Sequence, residues 1–206
     1  TVWATLVGLS RSGTACLRYE CFSGWWEGRG GGEWKSAELV LVSASENDQI
    51  MGIAPLFIAE YDGHQAVLLI GSIEISDYLD LIVREADLSR FLSGLIDFLA
   101  SSLAGNWASL DWYNLPDDSL TLAALKAESE KRGWNYHEEI YRPTPRIALN
   151  GSFEDYLSRI DKKQRHEIKR KMRRAAESGR VQFTVVDKDA DIEPELETFF
   201  HLMIQD

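Results

Sequence analysis

The sequence predicts an α/β fold in which a mixed β-sheet is covered by helices on both faces. Along the 206 residues, segments with the period of an amphipathic helix alternate with short apolar, β-branched segments. Two of the apolar segments flank Asp62-Gly63, a dipeptide typical of a tight hairpin turn, so part of the sheet should be antiparallel. Apolar residues make up 45% of the chain, which is enough for a core and excludes a disordered protein.

The first half of the chain should supply one short helix and most of the sheet. Residues 15–27 have apolar side chains at helical spacing, and the glycine-rich "RGGGEW" segment that follows should end the helix and form a loop. Pro55 cannot donate a ladder hydrogen bond, which predicts a bulge or an edge position in its strand. Strands are predicted over residues 37–44, 49–61, 65–71 and 79–83.

The second half should be richer in helix. A long helix should begin at the capping residue Ser152, continue to Ser178 and stop at Gly179. Further helices are predicted over residues 87–103, 117–132 and 192–205. Further strands are predicted over residues 107–115, 134–140, 146–150 and 181–187.

The end of the sequence suggests that a second domain begins there. "FFHLMIQD" is a strongly apolar helical segment with no strand after it to cover its face. We therefore expect residues 1–150 to form one domain, residues 151–180 a connecting basic helix, and residues 181–206 the beginning of a truncated second domain.

Positive charge is concentrated in one segment of an acidic protein. The net charge is −11, but residues 161–174, "DKKQRHEIKRKMRR", hold eight Lys and Arg. The acidic remainder would repel a long polyanion, so we expect no DNA partner. Three interpretations remain open: a solvated helix whose cations favour the negative C-terminal end of the helix dipole, pairing with the acidic remainder, or recognition of a short anionic ligand.

Cysteine, histidine and hydropathy patterns predict a cytoplasmic protein without a metal. Cys16 and Cys21 are too few and poorly spaced for a local disulfide and should be free thiols in a reducing compartment. The four histidines show no metal-ligand spacing. The apolar runs are too short to span a bilayer, and the N-terminus does not resemble a signal peptide, so no membrane partner is expected.

The segment "IEISDYLDLIV" (73–83) carries the candidate acid/base groups. Glu74, Asp77 and Asp80 lie close in sequence to Tyr78, and general acid/base catalysis needs such groups within hydrogen-bond reach of the reacting atom. Asp77 is also a common turn residue, so a purely structural role stays open. No nucleophile with a nearby base is evident, so the sequence does not predict covalent catalysis.

Several segments together resemble one family. These segments are "ACLRYECFSGWWE", "IMGIAPLFIA", "SDYLDLIV" and "FEDYLSRIDKKQRHEIKRKMRRAAESG". They resemble the bacterial FemAB-like acyltransferases and, more narrowly, the GNAT-type acetyltransferases labelled CelD/BcsL-like, which are associated with exopolysaccharide or cellulose biosynthesis. The resemblance implies two GNAT-like halves, of which this chain would contain the first half, the connecting helix and the start of the second.

The resemblance also implies a reaction and a set of site residues. An amine, on a small molecule or a glycan, would attack the thioester of acetyl-CoA directly. Asp77, Tyr78 and Asp80 are the expected catalytic residues. Lys162, Arg165 and Lys169 are expected to face an anionic portion of the donor or acceptor. The resemblance implies that the second half supplies most of the acetyl-CoA site.

Two other functions stay open at this point. A FemAB-like transferase would take aminoacyl groups from tRNA, with the basic helix on RNA phosphate. Alternatively, the chain would be a non-catalytic half-domain that only scaffolds a partner.

Overall fold

The structure is a computed structural model that describes residues 1–10, 12–145, 147–182, 184–187 and 191–205. The chain divides into two compact units, Thr1–Pro143 and Thr144–Asp206. The division predicted from the sequence, with boundaries after residues 150 and 180, stays a prediction.

The first unit contains the sheet and most of the apolar core. Its helices are α1 (Val2–Leu9), α2 (Tyr19–Glu27), α3 (Arg29–Gly32), α4 (Leu88–Ser102) and α5 (Leu120–Arg132). Its strands are β1 (Glu38–Glu46), β2 (Gln49–Tyr61), β3 (His64–Leu69), β4 (Ile82–Val83) and β5 (Ser109–Leu110). The turn α3 is irregular, because Gly30 and Gly31 have positive φ, and the right-handed helix α2 therefore ends where the sequence predicts.

The sheet is mixed, which confirms the predicted fold class. Its order is β1-β2-β3-β5, and β4 also pairs with β2. All pairs are antiparallel except β3 with β5, which is parallel. The predicted hairpin is confirmed: Tyr61 pairs with His64 across Asp62 and Gly63, whose φ angles of 49° and 79° are those of the left-handed region.

Pro55 lies in the central strand β2, not in an edge strand, so that part of the prediction is wrong. Its carbonyl accepts a hydrogen bond from the N–H of Ile70, one position beyond the last pair of the β2–β3 ladder, Leu56 with Leu69. The N–H and C=O of a strand residue point to the same side, so the missing N–H of Pro55 falls where this ladder ends. The bulge lies elsewhere, at the register shift between Ala44 and Ser45.

Both faces of β2 are covered. Gly52 lies against the ring of Phe91 on α4, so closely that an added Cβ would be 2.8 Å from Cδ2 of that ring. On the other face, Phe57 packs against Trp25 and Trp34, with ring centroids 5.3 and 5.2 Å apart. Burial on both faces explains why β2 is an almost continuous apolar run rather than an alternating one.

The described residues of the second unit form three helices. They are α6 (Phe153–Arg159), α7 (Lys162–Ser178) and α8 (Ile192–Ile204). The predicted cap at Ser152 and the stop at Gly179 are confirmed, since Ser152 forms a capping box with Asp155 and Gly179 has φ 64°. The prediction of one long helix is wrong, because Ile160 is extended and Asp161 caps a second helix.

Several predicted strands do not form. Residues 134–140 have no strand structure, and neither do the described parts of two other predicted strands, residues 147–150 and 181–182 with 184–187. The strand predicted over residues 107–115 is limited to β5. A β-prone segment becomes a strand only where another strand offers a ladder and a face to pack on, and these segments are mostly exposed.

The remaining predictions concern cysteines and membranes. Cys16 and Cys21 are free thiols. Within the described residues, no helix has the length and apolar content needed to cross a bilayer.

Candidate functional site

Within the connection between β3 and β4, residues 71–80 carry all three predicted catalytic residues, and we call them the 71–80 loop. Two side chains from elsewhere in the first unit hold it in place. Trp34 Nε1 donates a hydrogen bond to the carbonyl of Ser72 over 3.0 Å. Asn114 Nδ2 donates to the carbonyls of Ile73 and Ser76 over 2.7 and 2.8 Å. The loop therefore has a fixed backbone without being a helix or strand.

Asp80 points into the interior and is only 4% exposed. Its Oδ2 accepts hydrogen bonds from the hydroxyls of Ser12 and Ser119, over 2.5 and 2.6 Å. Its Oδ1 accepts from the Thr121 hydroxyl over 2.6 Å and from the N–H of Leu81 over 2.8 Å. Because four donors already surround the carboxylate, a reacting group would have to displace one of them. Asp80 thus joins the 71–80 loop to the segment after α1 and to the start of α5.

Asp77 and Tyr78 are more exposed than Asp80. Asp77 is exposed, and its side chain has no hydrogen bond or ion pair among the described residues. Tyr78 is half-buried with φ 55°, and its carbonyl accepts a hydrogen bond from Thr14 over 3.4 Å. The structure therefore does not combine the three residues into one acid/base group, and their catalytic roles stay predictions.

The outer side of the 71–80 loop carries a different set of groups around Glu74. Its carboxylate accepts hydrogen bonds from the Tyr141 hydroxyl and from Arg142, each over 3.3 Å. Glu33 is exposed, but partial desolvation, and then the negative charge of Glu74, raise its pKa above the ordinary value. A carboxyl group with a raised pKa near an accessible surface can exchange a proton at a pH closer to neutrality.

A pair of tyrosines lies behind Tyr141. Its ring packs edge-on against Tyr113 at 5.4 Å, and the Tyr113 hydroxyl is 3.0 Å from that of Tyr61. Burial, and then the hydrogen bond with Tyr61, raise the pKa of Tyr113 far above its ordinary value. At neutral pH Tyr113 therefore keeps its proton and is not a base.

Of the residues around Glu74, only Glu74 itself is among the candidates that the sequence predicts. Glu33, Tyr113 and Tyr141 are far apart along the chain and belong to no motif. Only the folding of the first unit brings them to one surface, so no local signal could have identified them.

The predicted binding residues lie on α7 in the second unit. Lys162, Arg165 and Lys169 are spaced by three and four residues, so they share one face of the helix. Lys169 Nζ is paired with Glu154 over 2.8 Å. Lys162 and Arg165 have no carboxylate partner within the described residues. Two of the three cations are thus available to an anion.

The N-terminus of α7 is occupied by its own cap. Asp161 Oδ1 accepts hydrogen bonds from the N–H groups of Lys163 and Gln164 over 2.7 and 3.3 Å. An anionic ligand would therefore contact side chains rather than these backbone groups. The helix has no basic residue in its last turn, so the predicted favourable contact between cations and the C-terminal end of the dipole is wrong. Lys162 and Lys163 instead lie at the positive end.

Beside this end of α7 is an open surface depression of about 510 Å³. Asp161, Lys162, Lys163, His166, Glu167 and Arg170 line it. The hydrogen bond from Arg170 lowers the pKa of Glu167, so both residues keep their charges. The depression thus presents both signs of charge.

The fold and the basic helix together define a mixed α/β protein with a cationic helical segment in its second unit. Residues 162–205, which contain α7 and α8, match the family model described as "Acetyltransferase (GNAT) domain". The match covers about a fifth of the chain and supports the GNAT superfamily, whose domains generally use acetyl-CoA. It indicates acyl transfer in general. No curated protein and no solved structure matches the chain.

Proposed function

We propose that the protein is an N-acetyltransferase that moves an acyl group from acyl-CoA to an amine on a small molecule or glycan. The observation that carries this proposal is the match of residues 162–205 to a GNAT acetyltransferase domain. The narrower assignment, a FemAB-like or CelD/BcsL-like enzyme of bacterial exopolysaccharide or cell-envelope synthesis in the cytoplasm, depends on the sequence resemblance alone.

The chemistry of this reaction is a direct attack. The amine nitrogen forms a bond to the thioester carbon, the CoA thiolate leaves, and the proton of the amine passes to a base. On the 71–80 loop, the proposed acceptor of that proton is Asp77, which is exposed and has no side-chain partner among the described residues, and Tyr78 lies next to it. Asp80 would support the loop, since its carboxylate is surrounded by donors.

The cations of α7 are the proposed contact for the phosphate groups of CoA. Positive charge at the N-terminal end of a helix opposes the helix dipole, so Lys162 and Lys163 do not contribute to the stability of α7. Residues that violate a local rule in this way often serve a ligand. Arg165 adds a planar group suited to phosphate oxygens.

The test measures acetyl-CoA binding by calorimetry and acetyl transfer to a panel of amines by mass spectrometry. We expect the triple variant Lys162→Ala, Arg165→Ala and Lys169→Ala to bind acetyl-CoA at least about 10-fold more weakly, since each contact to a charged group contributes about 1.5–3 kcal/mol. Its thermal stability should change little, because the Lys169–Glu154 pair is exposed.

The control variant removes the same charge from the same helix: Lys171→Ala, Arg173→Ala and Arg174→Ala. Lys171 and Arg173 are within ion-pair distance of Glu167 and Glu177. This control should bind acetyl-CoA almost as well as the unaltered protein. Absence of both acetyl-CoA binding and acetyl transfer in the full-length, unaltered protein would contradict the proposal and favour the scaffolding role.

A tRNA-dependent transferase is the second candidate, favoured by the eight Lys and Arg within residues 161–174. Binding to tRNA would release counterions and weaken steeply as salt is added. A mobility shift with aminoacyl-tRNA at two salt concentrations separates the two enzymes. A salt-sensitive shift without acetyl-CoA binding would favour the tRNA reaction.

A further inference from the structure

Aromatic and charged side chains of the first unit meet on the outer side of the 71–80 loop. This surface, which we call the Tyr141 surface, consists of Tyr141, Tyr113, Arg142, Glu74 and Glu33. The segment that carries Glu33 lies against the 71–80 loop, since a Cβ added at Gly31 would be 3.3 Å from Ile75 Cδ1. The surface is separate from the cations of α7, which belong to the second unit.

The ring of Tyr141 is held in one orientation while much of it stays in contact with water. Tyr113 packs edge-on against this ring, with the centroids 5.4 Å apart and the planes at 77°. Tyr113 is itself fixed by Tyr61, whose ring is 5.7 Å away and whose hydroxyl is 3.0 Å from that of Tyr113. Tyr141 nevertheless remains 42% exposed. A ligand that covers this ring gains apolar burial with little loss of side-chain freedom.

The polar groups beside the ring are planar and only loosely paired with each other. The central carbon of the Arg142 guanidinium is 5.3 Å from the centroid of the Tyr141 ring. The hydrogen bonds from Arg142 to Glu74 are 3.3 Å long, above the usual distance of about 2.9–3.0 Å, and both side chains are exposed. Such a pair contributes little to stability, so its donors and acceptors are available to the hydroxyl groups of a ligand.

The charge of the surface selects among ligands. It carries two carboxylates, Glu33 and Glu74, and one cation, Arg142. Partial desolvation, and then the negative charge of Glu74, raise the pKa of Glu33, which shows that the field of Glu74 reaches Glu33. A cationic group bound here is therefore attracted by both carboxylates, whereas an anion is repelled.

We infer that the Tyr141 surface binds an amino sugar. One face of a sugar ring consists of C–H groups and suits an exposed aromatic ring, while the hydroxyl groups at its edge suit a carboxylate beside a guanidinium. A protonated amino group on the sugar is attracted by Glu33 and Glu74. The role of this amino group as the acyl acceptor rests on the proposed function, whereas its binding does not.

The first test measures binding of a glucosamine trimer to the full-length, unaltered protein by calorimetry, without acetyl-CoA. Salt at about 0.15 M screens the long-range attraction between this cation and the acidic chain. The N-acetylated trimer keeps the sugar rings and lacks the charges, so it should bind at least about 10-fold more weakly. Diaminobutane has the charge and lacks the ring, so it should also bind more weakly. Absence of trimer binding, or equal affinity for diaminobutane, would overturn the inference.

The second test compares variants in the same assay. We expect Tyr141→Ala to weaken trimer binding by about 10-fold and Tyr141→Phe to weaken it much less, because the ring remains. Glu74→Gln should reduce the preference for the trimer over its N-acetylated form. Thermal unfolding checks that each variant folds, and the first test needs no variant.

Two further variants are the matched controls. Tyr19→Ala and Glu130→Gln remove an exposed tyrosine and an exposed carboxylate elsewhere in the first unit. Both should bind the trimer as the unaltered protein does. A loss in either control as large as in Tyr141→Ala or Glu74→Gln would show unspecific attraction and would overturn the inference.

The result is separable from that of the proposed function. Acetyl transfer to an amine that is not a sugar, without trimer binding, would overturn this inference and leave the proposed function intact. Trimer binding that Tyr141→Ala weakens, without any acetyl transfer, would support the Tyr141 surface and contradict the proposed enzyme.

Discussion

At the scale of single residues, Asp80 shows how one buried carboxylate joins three parts of the first unit. We expect Asp80→Ala to lower the free energy of unfolding by about 3 kcal/mol, because each buried hydroxyl left without a partner costs about 1–3 kcal/mol. Ser119 and Thr121 are both buried and both donate to it. Urea unfolding followed by tryptophan fluorescence measures the loss.

The neighbouring carboxylate provides the control for Asp80. Asp77 is exposed, so Asp77→Ala should change the free energy of unfolding by less than about 0.5 kcal/mol. An Asp80→Ala protein of unchanged stability that had lost acyl transfer would instead support the catalytic role predicted from the sequence.

Glu33 should make stability depend on pH. Partial desolvation and the charge of Glu74 raise its pKa, so the native state holds this proton more tightly than the unfolded state. Stability is therefore lost as pH rises from the ordinary value of 4.5 through the raised pKa. We expect Glu33→Gln to raise the urea midpoint at pH 7 and to leave it unchanged near pH 3.5, where the carboxyl is protonated in both states.

The same comparison in a Glu74→Gln protein tests the cause of this pH dependence. Removing the charge with Glu74→Gln should lower the pKa of Glu33 toward its ordinary value, so the gain from Glu33→Gln should shrink. An equal gain at both pH values would show that titration of Glu33 is not responsible.

At the scale of secondary-structure elements, the contact between β2 and α4 depends on a glycine. An added Cβ at Gly52 would meet the Phe91 ring at 2.8 Å, closer than nonbonded carbons approach. We expect Gly52→Ala to lower the free energy of unfolding by about 1–3 kcal/mol, the usual cost of overpacking a core. Chemical denaturation measures the change.

Gly94 on the same helix provides the matched control. Apart from its chain neighbours and the backbone of α4 itself, no described atom lies within 4 Å of the position where its Cβ would be. Gly94→Ala should therefore stabilise the protein by about 0.5–1 kcal/mol through its higher helix propensity. A Gly52→Ala protein as stable as Gly94→Ala would mean that α4 lies farther from the sheet.

At the scale of the whole molecule, the two units differ in how much of them is buried. The core contains residues of the first unit, whereas most described residues of the second are exposed. Around the boundary of the two units in the sequence, residues 134–145 and 147–151 have no helix or strand. Protease cleavage requires accessible, locally unfolded backbone. We therefore expect subtilisin to cut the native protein first after Thr144 or within residues 147–151.

The cleavage products show whether this expectation holds. Mass spectrometry at early times should detect a resistant fragment that contains the whole sheet. A first cut within β1, β2 or β3 would contradict the expected order of stability.

Several features followed from local sequence because they depend on backbone preferences. Asp62-Gly63 supplies the positive φ angles of the hairpin, and Ser152 and Gly179 supply a cap and a stop. The break at Ile160 was missed, although Asp161 is a good capping residue, because helical spacing continues across it.

The candidate sites were less predictable than the elements. The sequence selected the correct loop, but it could not show that Asp80 is directed inward while Asp77 is exposed. It also gave no indication that Ser109 lies beside His64, since that contact requires β3 and β5 to pair in parallel.

The sequence by itself determined the mixed α/β class, the hairpin and the basic helix α7, because hydrophobic period, turn residues and charge act within a few residues of each other. The tertiary structure alone decided which β-prone segments became strands, what surrounds Asp80 and Glu33, and that Ser109 lies beside His64. These depend on contacts between distant parts of the chain, where burial and partner availability outweigh local preference.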